Sequence, residues 1–127
     1  LFGWLLQSSV PGKIKGFTAT GNLVQTNATN GIGINLQGTS GTVLSAMTVT
    51  GQVMGAAAVL FDGTATTNTI ITGGNIGVDV SYGLHPGFSY GLFVNNQPHS
   101  GIRLFGNAIL GSVVPVLNRS GYPIVGG

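Results

Sequence analysis

Ile34-Asn35-Leu36-Gln37-Gly38 is a short apolar alternation closed by an amide. It recurs as Val59-Leu60-Phe61-Asp62-Gly63, Leu92-Phe93-Val94-Asn95-Asn96 and Pro115-Val116-Leu117-Asn118-Arg119. The closing residues Gln37, Asp62, Asn95 and Asn118 fall at intervals of 25, 33 and 23 residues. A second landmark, a glycine followed by an amide, interleaves with the first at Gly21-Asn22, Gly51-Gln52, Gly74-Asn75 and Gly106-Asn107. Self-similarity at a spacing of roughly 20 to 50 residues marks a repeat architecture.

Local composition says what the repeat unit is. Glycine, threonine, asparagine and β-branched residues recur too densely for a long helix to survive their propensity cost. Runs such as Val43-Leu44-Ser45-Ala46-Met47-Thr48-Val49 have strand length and are bounded by turn formers. Units of this size stack as coils of a parallel β-helix, in which equivalent residues of successive coils lie about 4.8 Å apart. Apolar positions then become interior stacks and amides become ladders. The same geometry accounts for 23 glycines against only four basic and two acidic side chains, because a like charge repeated in a ladder repels itself at every rung.

The 127 residues therefore read as one all-β domain of about four to five coils, a piece of a longer solenoid, with an all-β sandwich as the alternative. Residues 1–15 are expected to form an apolar segment that caps the coils or meets preceding ones. Residues 16–121 form the coils, with a loop inserted at 81–90, and 122–127 form a C-terminal tail.

Several function classes are excluded. The cations Lys13, Lys15, Arg103 and Arg119 are scattered and make no phosphate-tracking stripe, so no nucleic-acid partner is expected. Cysteine is absent, which removes disulfides and thiolate metal sites. The apolar run 1–10 falls short of the roughly 20 residues of a membrane helix, so no membrane span is expected. Gly73-Gly74-Asn75-Ile76-Gly77-Val78-Asp79 offers one carboxylate where calcium wants several oxygens, and no glycine cluster matches a nucleotide fingerprint. Neither a metal nor a cofactor is expected.

The remaining chemistry is sparse. Asp62 and Asp79 are the two carboxylates available for glycoside hydrolysis, which needs a pair roughly 5 to 10 Å apart. Asp62 belongs to the ladder position, where a turn-capping role competes with catalysis; Asp79 aligns with Thr26 and Ala56 on a strand. The insertion 81–90 carries Tyr82, His85, Phe88 and Tyr90, candidates for glycan contact because sugars stack their apolar faces on aromatic rings. The competing reading has these rings packing the loop onto the body or onto a neighbouring subunit. His99, in Gln97-Pro98-His99-Ser100, reads as a turn residue.

With its glycine-amide landmarks, closing polar ladder and charge-poor texture, the stretch of about 16–121 resembles the right-handed parallel β-helix proteins of the pectate-lyase-like group, bacteriophage tailspikes in particular. The resemblance implies a homotrimer in a virion tail or extracellular setting that binds, and often cleaves, bacterial surface polysaccharide. The carboxylate roles it implies pass here to Asp62 and Asp79 alone, and this segment is expected to bind or scaffold rather than to catalyse. Two other expectations stand beside it. One is a polysaccharide lyase, hydrolase or epimerase domain of the same fold; the other is a structural or adhesin fibre module without a small ligand.

Overall fold

A computed structural model describes residues 2–79, 86–109 and 111–126, with the main chain alone for Asp79. Among the described residues all regular structure is strand. The chain makes repeated passes. The first runs through β1 (Phe2–Gln7), β2 (Ile14–Lys15), β3 (Thr18–Thr20) and β4 (Leu23–Thr26). The second repeats it as β5 (Ile32–Gln37), β6 (Thr39–Ser40), β7 (Val43–Ser45) and β8 (Thr48–Gly51). The third has β9 (Gly55–Phe61), β10 (Ile70–Thr72) and β11 (Asn75–Asp79); the fourth has β12 (Phe88–Val94) and β13 (Arg103–Phe105); the fifth has β14 (Ser112–Asn118) and β15 (Val125–Gly126).

Strands from successive passes lie side by side. The sheets have the orders β1-β5-β9-β12-β14, β3-β7-β10-β13-β15 and β4-β8-β11, with a narrow β2-β6 pair extended by the bridges Ser40–Thr67 and Thr67–Ser100. Every pairing is parallel. The sandwich alternative, which rests on antiparallel sheets, does not describe this molecule.

Two corners define each of the first four passes. The register Thr20↔Ser45↔Thr72↔Phe105 places Gly21, Ala46, Gly73 and Gly106 in one column, and all four have φ between 51° and 69°. Five residues upstream, the register Lys15↔Ser40 and the bridges align Gly16, Gly41, Asn68 and Gly101, with φ from 56° to 71°. A left-handed residue at each end of a three-residue strand turns the chain sharply twice, which fixes β3, β7, β10 and β13 in mutual register. Gly51 is therefore not the partner of Gly21, as the glycine-amide landmark suggested. It pairs with Thr26 and Asp79 in the third sheet, and Ala46 holds the corner instead.

The interior is built of apolar columns. Ile34, Val59 and Leu92 stack, as do Leu36, Phe61 and Val94, and they meet Leu44, Ile71 and Leu104 from the second sheet and Val49 and Ile76 from the third. Each such side chain, fully withdrawn from water, contributes roughly 1.5 to 3 kcal/mol. The segment expected to cap the coils supplies β1 and β2, whose Trp4 and Leu6 pack against this core; Trp4 meets Phe17 edge to face at 6.0 Å. The expected tail 122–127 includes β15, paired with β13. At the far edge, β14 leaves Val113, Val114 and Val116 exposed.

The closing polar ladder is real with one correction. Gln7 pairs with Gln37, the register Leu36↔Phe61↔Val94 carries it on to Asp62 and Asn95, and the next position is Arg119 rather than Asn118. Asn118 stacks on Val94 and turns its amide into a local loop, donating to the Tyr122 carbonyl at 2.6 Å.

Candidate functional site

The outer face of the β1-β5-β9-β12-β14 sheet gathers the chemistry. In β12, Leu92 and Val94 are buried, so the intervening Phe93 and the following Asn95 point outward. Phe93 lies beside Leu60 and Leu117 of the neighbouring strands. Tyr90 meets it edge to face, with ring centroids 5.0 Å apart, and the Arg119 guanidinium sits 5.7 Å from the Phe93 centroid. A cation over an aromatic face is held by the ring quadrupole. The result is a half-buried aromatic platform with a cation at its margin.

The polar ladder runs along the same face. Gln7 donates to Gln37 at 3.3 Å, Gln37 donates to Asn35 at 3.2 Å, and Asn95 donates from Nδ2 to Asp62 Oδ1 at 2.9 Å. Amides suit such a column because each carries both a donor and an acceptor, so identical neighbours satisfy one another. Asp62 has acceptors alone and takes the place an amide oxygen would fill.

The sequence-predicted residues are only partly brought together. Tyr90 stands on the platform. Phe88 does not: its ring is wholly buried in the core, seated over Gly55, which removes it from the expected glycan contacts. Phe88 and Tyr90 also belong to β12 rather than to the inserted loop. Tyr82 and His85 lie outside the described residues. Asp62 follows the last residue of β9 in the first sheet, whereas Asp79 is the last residue of β11 in the third. Asp79 pairs with Gly51, just before β9 begins, and Asp62 follows the end of that strand. At about 3.3 Å per residue this places them on the order of 20 Å apart, outside the range of an acid–base pair in one chain. Phe93 and Arg119 were not foreseen. The signal for Phe93 was its alternation with Asn95, and Arg119 was hidden by reading Asn118 as the ladder residue.

His99 lies in the connection between β12 and β13, its main-chain N–H donating to the Gln97 carbonyl at 2.7 Å, but its side chain does more than fill a turn. It is buried, in the interior column that contains Thr39 and Thr66. Its Nδ1 accepts the Thr66 backbone N–H at 3.1 Å and lies 3.1 Å from the Thr66 hydroxyl, while the Phe61 ring packs at 6.0 Å. Burial lowers its pKa below the usual histidine range, opposed by the nearby negative charge of Asp62. A hydroxyl and an imidazole thus meet, with the Asp62 charge acting on the ring, yet Thr66 and His99 are sealed from solvent and closed to any substrate. The grouping holds passes together.

No group of three or more metal-ligating side chains occurs among the described residues, and no helix there is long and apolar enough to cross a membrane. Compared with known proteins, the chain matches no family model, no curated protein and no solved structure.

Proposed function

We propose that this chain is a segment of a right-handed parallel β-helix of the bacteriophage tailspike type, and that the outer face of its β1-β5-β9-β12-β14 sheet contacts bacterial surface polysaccharide. Parallel strands joined by crossovers in one sheet are right-handed in about 98% of cases, which supports the hand. The observation that carries the function is the placement of the Tyr90–Phe93–Arg119 platform directly beside the Gln37, Asp62 and Asn95 ladder. A sugar ring stacks its apolar face on Phe93 while its hydroxyls exchange hydrogen bonds with amides and a carboxylate at the ladder spacing. A linear polysaccharide extends this along the stack. Binding is favoured over catalysis because the two carboxylates stand about the length of β9 apart. Homotrimeric assembly and a place in the virion tail belong to the same proposal.

The test is a glycan array of bacterial surface polysaccharides, followed by calorimetry on any hit. Phe93→Ala is expected to weaken binding about tenfold or more, roughly 1.4 kcal/mol, while leaving the melting temperature within a few degrees. A folded wild-type protein that binds no polysaccharide, or binding indifferent to Phe93 and Tyr90 substitution, overturns the reading and leaves the fibre-module expectation.

A further inference from the structure

We propose that His99 is an acid-sensitive joint between the third and fourth passes, closed when the ring is neutral and opened by a proton, so that acid loosens the passes carrying Phe93 and Arg119. The joint does not depend on the polysaccharide reading.

The backbone bonds Thr67 N–H to Thr39 C=O and Ser100 N–H to Thr66 C=O place Thr39, Thr66 and His99 one above another inside the stack. His99 is the titratable member of that column. The Thr66 main-chain N–H can only donate, so Nδ1 must be the bare nitrogen, and the neutral ring carries its hydrogen on Nε2. A second proton has to go on Nδ1, where it would meet the Thr66 N–H head on. It would remove the acceptor that both Thr66 groups use and place a charge in a buried site.

The surroundings offer little to hold that charge. Below the ring, the third pass presents the neutral Thr66; from β9 come the Phe61 ring and, just past the strand, Asp62. Among the described residues Asp62 is the charged group that acts on the ring, and its attraction for a proton is outweighed by burial. The unfolded chain therefore binds the proton more readily than the folded one. Stability conferred by the neutral ring is present above the ordinary value of 6.5 and is lost as pH falls below it. Because a stack of passes is held by nearest-neighbour interfaces, a loss at this joint loosens the passes beyond it first.

The experiment uses the full chain. Urea titrations from pH 7.5 to 5 are expected to show the unfolding equilibrium constant rising by up to about tenfold per pH unit below 6.5, both in the wild type and in His85→Asn. His99→Thr, which continues the threonine column, is expected to be flat over the same range. In wild-type NMR spectra the His99 ring is expected to remain the neutral Nε2–H tautomer below pH 6. Hydrogen exchange, corrected for intrinsic rates, is expected to quicken in 86–126 before 2–79. The proposal is overturned by a flat wild type, by a slope that persists in His99→Thr, by a folded-state ring titrating near 6.5, or by exchange that quickens evenly. Should His99→Thr fail to fold, the wild-type ring titration decides alone.

Discussion

Gly41 turns a corner within the second pass and Gly55 begins the third, and a methyl group would be wrong at each for a different reason. Gly41 turns a corner with φ at 71°, and a Cβ there would meet nothing nearer than 3.8 Å. Gly55 needs no left-handed conformation, but a Cβ would lie 2.5 Å from the Gly31 carbonyl oxygen and 2.8 Å from the Phe88 ring. The corner asks for the sign of a dihedral angle; the strand start asks for empty space. The first demand can be met by other residues at a modest cost, as Asn68 and Ala46 do in the corner columns. The second is set by the buried Phe88 ring, which has no room to retreat.

The larger loss is expected at Gly55. Gly55→Ala forces Phe88 from a fully buried seat or pushes β9 away from the preceding pass, and overpacking of this kind costs about 3 kcal/mol. Urea denaturation should show a matching fall in midpoint, with near-ultraviolet dichroism reporting the displaced aromatic rings. A loss smaller than that of the corner substitution would show that the strand start yields easily, and the distinction between the two glycines would fail.

At the corner the expected loss is smaller. Gly41→Ala introduces the left-handed penalty of roughly 1 to 2 kcal/mol, partly offset because alanine restricts the unfolded chain, for a net of about 1 kcal/mol. Gly41→Asn should cost less, since asparagine visits this region more readily and already occupies the same column at Asn68 with φ 56°. Equal losses for Ala and Asn in denaturant titrations would mean that something other than the dihedral angle holds the corner.

This contrast also explains what could be read in the sequence. Stacking of successive repeats was legible from Gln37, Asp62 and Asn95, because a polar ladder needs compatible side chains at each rung. The corners were less so. Gly16 and Gly21, Gly41 and Ala46, Asn68 and Gly73, Gly101 and Gly106 keep a five-residue frame, but Ala46 and Asn68 break the glycine pattern, so the glycine-amide landmark falls on Gly51 instead of Ala46. The burial of the His99 ring was hidden for a related reason. His99-Ser100-Gly101 follows the frame of Thr39-Ser40-Gly41 and Thr66-Thr67-Asn68, yet the frame is visible only once the corner glycines are aligned. On the outer face, Tyr90 was reached through its aromatic neighbourhood, which equally pointed to Phe88. Regular alternation would put rings two residues apart on one face; in β12 the consecutive burial of Gly91 and Leu92 breaks that alternation, and Phe88 sits in the core over Gly55 while Tyr90 meets Phe93 outside.

The smallest effect tests the corner from the opposite direction. Ala46 sits at φ 51° in a column whose other members are glycines, and its backbone N–H is already bonded to the Thr72 carbonyl at 2.8 Å. Its side chain is exposed, so Ala46→Gly removes almost no buried surface. What changes is a left-handed penalty relieved in the fold, against a gain in unfolded-chain freedom worth roughly 0.4 to 1 kcal/mol. The difference is a stabilisation of about 0.5 kcal/mol, a rare case in which glycine replaces alanine and raises stability. Denaturant midpoints measured alongside Gly41→Ala resolve the sign. If Ala46→Gly destabilises instead, the left-handed penalty at this corner is smaller than the entropy of the unfolded chain, and the loss assigned to Gly41→Ala must come from a contact rather than from the backbone.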